Sequence, residues 1–243
     1  MRAVITAGGR IDGEFASAAG TNVKALAPVR GVTMLQRMLD ALRAAGVTEI
    51  AVVGGDEVRA ACESSVERFV EESPSGSENL LRALRAWPDT ERLVYATSDL
   101  PYVTGPAVAD FISRVGLGTL AVALAEFEPF SQRFPGATGF GIRLGRERVV
   151  NGGVFSIPQG APEKLAALAT RFFQARKRPW RMASLVGPGV LIRFLSGRLR
   201  VADLETMALH VLQVPAQALR GCAPELAFDV DTGTEYRYAC RHE

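Results

Sequence analysis

Histidine and cysteine are scarce in this chain. Its 243 residues include two histidines and three cysteines. His210 falls in a predicted helical segment and His242 lies in the last few residues. Two such histidines exclude a His-rich metal site and argue against a Ser-His-Asp or Cys-His catalytic group. Cys62, Cys222 and Cys240 are far apart and form no Cys-x-x-Cys pair, which argues against a disulfide framework or a zinc site. Such thiols are typical of a reducing compartment, so we expect a cytoplasmic protein.

A strong net charge and a long apolar run are also missing. The chain has 28 basic and 26 acidic residues, so its bulk charge does not favour a nucleic acid as partner. No basic segment followed by an apolar one, the mark of a secretory signal, stands at the N-terminus. The longest apolar stretch, near residues 186–195, contains Arg193 and glycines and is too short to cross a bilayer.

Lysine is the third rare residue, because it occurs only at positions 24, 164 and 177. Base composition is the simplest cause of such an arginine bias. A lysine kept in such a chain still suggests a role for a compact ammonium, which the planar guanidinium of arginine does not fill equally well. Lys24 lies in what we expect to be a solvated loop, so its replacement is expected to spare the fold.

Strand and helix patterns alternate along the first half of the chain. This alternation predicts a Rossmann-like, doubly wound α/β fold with a mainly parallel sheet, whose ligands bind at the carboxyl ends of the strands. The predicted strands span residues 3–5, 49–53, 66–70, 92–97 and 119–125, and the predicted helices span residues 34–45, 78–87 and 106–115.

The second half of the chain has a different pattern. Residues 139–144 and 149–157 alternate like a small antiparallel ribbon, and residues 162–212 have helical periodicity broken at Pro179 and Gly187. A last strand is predicted over residues 226–231, followed by a short helix from Thr232. No internal repeat is present. We therefore expect one domain over residues 1–243, with a helical insertion at residues 160–212.

Two glycines follow the first strand and open a long irregular loop that runs to Lys24. Gly8 and Gly9 allow a tight turn with bare N–H groups pointing outward, which suits a phosphate. No Gly-Lys-Ser/Thr follows at the spacing of a Walker loop, and no helix starts directly after the glycines as a dinucleotide fingerprint requires. A different phosphate-binding loop is expected.

Aspartates supply the chemistry that the rare histidines do not. Asp99 follows a predicted buried strand directly, while Asp229 and Asp231 flank a valine in another predicted strand end and so point to one side. Carboxylates from two strand ends, a lysine and a glycine turn make a Mg²⁺–polyphosphate site. The structural alternatives are that Asp99 caps a helix and that Thr232 and Glu235 form a capping box.

The motifs together resemble the nucleotidyltransferase superfamily with a GT-A type fold, which includes sugar-1-phosphate nucleotidyltransferases and molybdenum cofactor guanylyltransferase-like proteins. The resemblance spans nearly the whole chain except residues 162–212. Members of the family often have a third glycine two residues after the glycine pair and a proline before the lysine. In this chain Arg10 directly follows the glycine pair and Val23 precedes Lys24. The motifs that carry the resemblance are Ala7-Gly8-Gly9, residues 24–35, Ser98-Asp99-Leu100-Pro101, Asn151-Gly152-Gly153-Val154-Phe155 and residues 228–232.

The resemblance implies a reaction and a set of site residues. A phosphate of the acceptor attacks the α-phosphorus of an NTP and pyrophosphate leaves, with Lys24 and Asp99 as catalytic residues. Asp99 and Asp231 hold Mg²⁺, with Asp229 as a weaker candidate, while Asn151 and Gly152 face the acceptor. The nucleotide-binding set is Ala7, Gly8, Gly9, Arg10, Lys24, Ser75, Gly76, Ser77, Asn79 and Asp99.

The acceptor stays open at this stage. A sugar or polyol phosphate ranks slightly above a molybdopterin-type cofactor, and a nucleotide-binding module without turnover is an alternative of another class. A glycosyltransferase is disfavoured because Asp99 is followed by Leu100-Pro101 and not by Asp-x-Asp. The basic stretch at residues 176–181 is interpreted as a solvated helix end, with contact to anionic lipid or a phosphorylated acceptor as the less favoured alternative.

Overall fold

The architecture is a mixed α/β fold around one large sheet. The computed structural model describes residues 1–137, 139–158, 160–161, 164–165 and 187–242. Its strands are β1 (Arg2–Thr6), β2 (Pro28–Val29), β3 (Val32–Thr33), β4 (Glu49–Gly54), β5 (Arg68–Glu71), β6 (Arg92–Thr97), β7 (Leu120–Glu126), β8 (Ile142–Leu144), β9 (Glu147–Pro158) and β10 (Ala216–Leu219).

Helices connect the strands and cover both faces of the sheet. They are α1 (Gly13–Ala19), α2 (Met34–Ala44), α3 (Asp56–Cys62), α4 (Gly76–Leu84), α5 (Gly105–Arg114), α6 (Phe127–Arg133), α7 (Pro188–Leu195), α8 (Val201–Leu212) and α9 (Gly233–Arg241). Hydroxyl side chains cap four of them, because Thr33, Ser75, Thr104 and Thr232 accept hydrogen bonds from the first turns of α2, α4, α5 and α9. Asp99 is therefore not the cap of α5.

The sheet has the strand order β10-β7-β9-β6-β1-β4-β5, with β8 paired to β9. Pairs β1–β4, β1–β6, β4–β5 and β7–β10 are parallel, whereas β9 is antiparallel to both β6 and β7. A separate two-stranded antiparallel sheet is formed by β2 and β3. The predicted fold class, a mainly parallel sheet with a small antiparallel ribbon, is confirmed.

Two apolar layers hold the helices to the sheet. On one face, Ile5 and Val52 pack with Met38 of α2 and Phe111 of α5, all fully buried. On the other face, Val4 and Val53 pack with Leu84 of α4. Because β1 is covered on both sides, it reads as a continuous apolar run, as a central parallel strand should. This packing fixes the ends of β1 and β6 side by side.

Three local predictions were wrong or incomplete. Residues 227–231 form no strand, because after the 3-10 turn Pro224–Leu226 the chain crosses the sheet edge and its amide at Val230 bonds to the carbonyl of Asp99 at 3.0 Å. The loop expected to be irregular contains α1, whose Phe15 packs on Tyr236 with ring centroids 5.1 Å apart. Strand β10 was missed, because its four residues are too short for a clear alternation.

The predicted helical segment at residues 162–212 is covered only in part. Helices α7 and α8 lie within it and are helical as expected, with His210 in α8. Pro179 and the basic stretch at residues 176–181 lie outside the described residues. In the part of the chain that the structure describes, no helix has the length and apolar character needed to cross a membrane.

Candidate functional site

The site lies at the carboxyl edge of the sheet, where β1 and β6 end together. Thr6 and Thr97 are directly opposite each other in the parallel pair. The glycine loop therefore leaves β1 beside the point where Ser98 and Asp99 leave β6. Ligands bind at this edge in doubly wound sheets, because loops and side chains from neighbouring strands converge there.

The glycine loop returns to its own start and places Lys24. The amide of Lys24 donates to the carbonyl of Gly9 at 2.9 Å, and Arg10 and Val23 form an antiparallel bridge between the two ends of the loop. Lys24 then begins the 3-10 turn Lys24–Leu26, which is anchored by fully buried Ala25. A lysine 15 residues after the glycines is thus brought against them by backbone bonds.

The C-terminal segment brings Asp231 to the same place. The bond from the amide of Val230 to the carbonyl of Asp99 fixes the two segments against each other. Fully buried Phe228 anchors the segment in a cluster of aromatic rings. Beyond it, Thr232 and Glu235 form a capping box at the start of α9. The capping box expected as the structural alternative is present, and the carboxylate of Asp231 takes no part in it.

Lys24 links the two predicted metal carboxylates. Its Nζ lies 2.7 Å from Oδ2 of Asp99 and 2.5 Å from Oδ1 of Asp231. The side chains of Lys24 and Asp99 are 15% and 16% exposed, whereas that of Asp231 is 66% exposed. Lys24 is therefore largely buried, and the expectation of a solvated loop was wrong. Burial alone would lower the pKa of Lys24, but attraction to Asp99 and Asp231 outweighs it and raises the pKa.

A third carboxylate, Asp229, lies close to this pair. Burial, and then repulsion from Asp99 and Asp231, raises the pKa of Asp229 to about 6. One oxygen of Asp99, Oδ1, is buried and has no hydrogen-bond partner in the described part of the chain. Converging carboxylate oxygens with an unsatisfied acceptor suit a hard divalent cation such as Mg²⁺. The described residues contain no group of three or more ligands already set for a metal, so these carboxylates fit an ion chemically without forming a closed cage.

The raised pKa of Asp229 predicts a pH-dependent gain in stability when its charge is removed. Its carboxyl titrates near 6 in the folded state, above the value of about 3.9 in an unfolded chain. The charged form therefore opposes folding above that pH. In EDTA at pH 8, Asp229→Asn should raise the free energy of unfolding by about 2 kcal/mol, and the gain should fade as the pH falls through 6 towards 4.

Denaturant unfolding at several pH values checks this expectation. Asp89→Asn is the matched control, because Asp89 is exposed near the start of β6, at the edge of the sheet opposite to the site. Its stability should follow that of the wild type throughout. A gain for Asp229→Asn that is as large at pH 4 as at pH 8 would rule out the charge of Asp229 as its cause.

Arg10, predicted to bind the nucleotide, is held by carboxylates at this edge. Its Nη2 lies 2.5 Å from Oε1 of Glu72 and 3.7 Å from Oε2 of Glu57. Glu72 also lies against the glycine loop, since a Cβ on Gly8 would be 2.0 Å from its Oε2. A Cβ at Gly8 would therefore require the end of the Glu72 side chain to move. Glu72 was not predicted from the sequence, where its only signal is its position directly after β5.

The predicted base or ribose segment lies on the other side of Glu72. Ser75 caps α4 and Gly76 is its first residue, with the hydroxyls of Ser75 and Ser77 2.9 Å apart. Asn79 accepts a hydrogen bond from the amide of Ser73 at 2.6 Å and donates to its carbonyl at 2.9 Å. The structure brings this segment to the glycine loop, because Asn79 Nδ2 would be 3.5 Å from a Cβ on Gly8. Its contact with a nucleotide stays a prediction.

The predicted acceptor residues lie on β9, next to β6. Val154 is opposite Ala96, so Asn151 and Gly152 lie farther along β9 towards the edge that carries Asp99. The side chain of Asn151 is exposed, and its Nδ2 lies 3.1 Å from the carbonyl of Gly152. Gly152 is buried between β7 and the carbonyl of Leu226. Of the two residues, Asn151 is the one with a side chain available to a ligand.

Gly152 is expected to tolerate no side chain. A Cβ there would lie 2.9 Å from the carbonyl oxygens of both Ala123 and Leu226, and backbone atoms cannot move aside as a flexible side chain does. Gly152→Ala should therefore lower the free energy of unfolding by about 2 kcal/mol. Gly118→Ala is the control, because a Cβ at Gly118 meets nothing within 4 Å. Thermal melting compares the two, and equal melting temperatures would contradict the expectation.

Comparison with known proteins gives a family match and several structural neighbours. The pattern of the MobA-like NTP transferase domain matches residues 3–178. A hypothetical transferase from Thermus thermophilus is 31% identical with a TM-score of 0.84, and the match covers 97% of this chain and 98% of that one. No protein of curated function matches the sequence.

More distant structures share the fold. A nucleotidyl transferase from Methanothermobacter is 19% identical with a TM-score of 0.57, over 97% of this chain and 94% of that one. The Rv0371C protein of Mycobacterium tuberculosis, in a complex with manganese, is 23% identical with a TM-score of 0.53, over 98% and 97% of the two chains. At these identities the likeness shows a common fold.

Proposed function

The chain belongs to the MobA-like NTP transferase family of nucleotidyltransferases, and from that premise we propose that it joins the nucleoside monophosphate of an NTP to a phosphorylated acceptor. The acceptor is a sugar or polyol phosphate, and pyrophosphate is released. The observation that carries the proposal is Lys24, held between Asp99 and Asp231 beside the glycine loop. A cation fixed at this edge suits a polyphosphate ligand.

The chemistry asks for charge and position, and the site supplies both. An acceptor phosphate is already anionic, so it needs no general base, and the site residues include no histidine. In the proposal, Lys24 binds the phosphates and reduces their repulsion, while the backbone of Ala7, Gly8, Gly9 and Arg10 encloses them. Backbone hydrogen bonds hold Lys24 in place, so little reorganisation is needed when the nucleotide binds.

A divalent ion is part of the proposal. Asp99 and Asp231 would hold Mg²⁺, with Asp229 able to join them, because carboxylate oxygens are the ligands that hard cations prefer. When bound, the ion would supply positive charge to the phosphates that react. The manganese complex of the structural neighbour from Mycobacterium tuberculosis supports a divalent metal at this fold.

The remaining predicted residues have proposed roles on either side of this centre. Ser75, Gly76, Ser77 and Asn79 would contact the base or ribose, and Asn151 would contact the acceptor, with Gly152 keeping β9 close to β7. We also infer a single domain over residues 1–243 with residues 160–212 as an insertion, since β10 returns to pair with β7. The proposed location is the cytoplasm, and no nucleic acid is expected as partner.

Pyrophosphate release tests the proposal. The protein is incubated with each of the four NTPs, with Mg²⁺ or Mn²⁺, and with a panel of sugar phosphates, polyol phosphates and molybdopterin. Release with a sugar or polyol phosphate and not in its absence supports the proposal. A molybdopterin-type acceptor is the second candidate, favoured by the family match, and release with molybdopterin alone would select it.

The same panel separates an enzyme from a nucleotide-binding module without turnover. A thermal-shift series with each NTP, with and without Mg²⁺, shows binding directly, because a ligand at one hundred times its Kd stabilises the fold by about 2.7 kcal/mol. Stabilisation by an NTP without pyrophosphate in any combination would contradict the proposed transfer. It would favour the silent module, in which Arg10 stays paired with Glu72.

A further inference from the structure

A cavity of about 440 Å³ lies between the sheet and α8. Its volume is within the range of about 300–1,000 Å³ that small-molecule sites occupy. Strands β7, β9 and β10 form its floor and α8 its roof. Among the side chains that line it are Leu120, Val122, Phe155, Leu204, Ala208 and Ala218.

The described part of the cavity lining is almost entirely apolar. Among its described lining residues, only Asn151, Glu205 and Gln217 have polar side chains. Glu205 is already engaged, because its Oε1 accepts a hydrogen bond from the amide of Ala218 at 2.8 Å. A polar ligand group inside would lose its water without gaining partners, which costs free energy. The cavity therefore suits a hydrocarbon group.

Asn151 connects the cavity to the candidate site. It lines the cavity, and its place on β9, beyond Val154 and towards the carboxyl end of β6, puts it at the sheet edge that carries Asp99. Its partner across the β7–β9 pair, Leu124, lines the same cavity. A molecule with its head at Asn151 can therefore place an attached chain against β7.

We propose that the acceptor is an amphiphile, a phosphate with an alkyl or polyisoprenoid chain that occupies this cavity. The inference rests on the proposed function for the role of the phosphate head, but the chain site stands on the cavity alone. It narrows the proposed phosphorylated acceptor to one that carries an apolar chain.

Exposed apolar side chains on α7, and on α8 that roofs the cavity, favour the membrane as the source of this acceptor. On α7, Ile192, Phe194 and Leu195 are 64%, 55% and 75% exposed, and on α8 Leu209 is 48% exposed. Exposed groups of large apolar side chains mark interaction sites. Arg198 is exposed directly after α7 and would suit anionic lipid.

A chain-length series on the wild-type protein is the first test. Butyl, hexyl and octyl phosphate are titrated below their micellar concentrations by calorimetry, with inorganic phosphate as the headgroup control. Each added methylene should tighten binding about four-fold, the factor that corresponds to burying one methylene at about 0.8 kcal/mol. Equal affinity for inorganic phosphate and for the whole series would overturn the inference.

Filling the cavity is the second test. Ala208→Trp places a large ring among the lining residues and should remove the dependence on chain length. Ala202→Trp is the matched control, because Ala202 is on the same helix but exposed. Octyl phosphate bound equally by both variants would overturn the inference. The wild-type series decides the question if Ala208→Trp does not fold.

Two further experiments distinguish a membrane source of the acceptor from a free one. They also distinguish failure of the cavity proposal from failure of the proposed transfer. Pyrophosphate release is compared for octyl phosphate in solution and for a polyisoprenyl phosphate in phosphatidylglycerol vesicles. Release in the vesicle arm supports a membrane source, and release in solution alone supports a free amphiphile. Chain-dependent binding without pyrophosphate keeps the cavity site and rejects the transfer. Pyrophosphate release with sugar phosphates, without chain-dependent binding, keeps the transfer and rejects the cavity site.

Discussion

Lys24→Ala is expected to reduce pyrophosphate release by about three orders of magnitude. Lys24 is the cation that the site holds against its carboxylates, and a bound triphosphate would meet it next to the glycine loop. Its loss leaves largely buried Asp99 without its ion pair. In EDTA the free energy of unfolding should therefore fall by about 2 kcal/mol. Initial rates of pyrophosphate release and denaturant unfolding measure the two effects.

Two other lysine variants make this result specific. Lys164→Ala removes an exposed lysine far from the glycine loop in sequence and should change neither rate nor stability. Lys24→Arg should retain the fold better than Lys24→Ala but remain impaired, because a planar guanidinium does not fit between two carboxylates as an ammonium does. A wild-type rate for Lys24→Ala would remove this residue from the proposed mechanism.

Asp99→Asn should also lower the rate by about a thousand-fold while changing stability little. The amide keeps the volume of the carboxylate, and its oxygen can still accept a hydrogen bond from Lys24. In EDTA, loss of the ion pair with Lys24 and relief of repulsion with Asp229 oppose each other, so the change in unfolding free energy should be under about 1 kcal/mol. The stabilisation that Mg²⁺ and NTP give together should be lost.

Without Lys24 in the site, a different result would be expected for this variant. Two aspartates without a cation between them repel, so removing either should leave the metal-free protein as stable as before or more so. In the structure Lys24 lies between Asp99 and Asp231. The repulsion that Asp99→Asn relieves is therefore the one between Asp99 and Asp229. Asp110→Asn, which removes an exposed pair with Arg114, is the control for the rate. A wild-type rate with a large loss of stability would give Asp99 a structural role.

Asp231→Asn completes the comparison. Because Asp231 is exposed and shares Lys24 with Asp99, its replacement should affect stability less than that of Lys24. If both aspartates hold one ion, the double variant should be no slower than the slower single variant. Rates that multiply would show that the two carboxylates act independently.

Local patterns were sufficient to predict the frame of the site. The apolar run of β1, the glycines after it and the strand before Asp99 each carry their own signal within a few residues. Those elements, and a mainly parallel sheet, follow from periodicity and from the rules for connecting parallel strands. The pairing of β1 with β6 was not predicted.

The contacts that close the site could not be predicted in the same way. Glu72 reaches Gly8 and Arg10 only because β5 is the second neighbour of β1 in the sheet. This strand order is a feature of the tertiary structure that no local pattern encodes. The burial of Lys24 depends on a loop that folds back on Gly9 and includes an unpredicted helix. Asp229 and Asp231 were placed in a strand because alternation over five residues looks the same in a strand and in an extended crossing segment.

The hydrogen bond between Lys24 and Asp231 joins residues 207 positions apart, and this separation has a consequence for how the protein matures. During synthesis the glycine loop, β1 and β6 can assemble long before residues 228–231 leave the ribosome. The aromatic anchor at Phe228 and the capped start of α9 then have to dock before the two aspartates meet Lys24. Nascent or truncated chains that end before this segment would have a largely formed sheet and no complete centre. Competence to react is therefore acquired last.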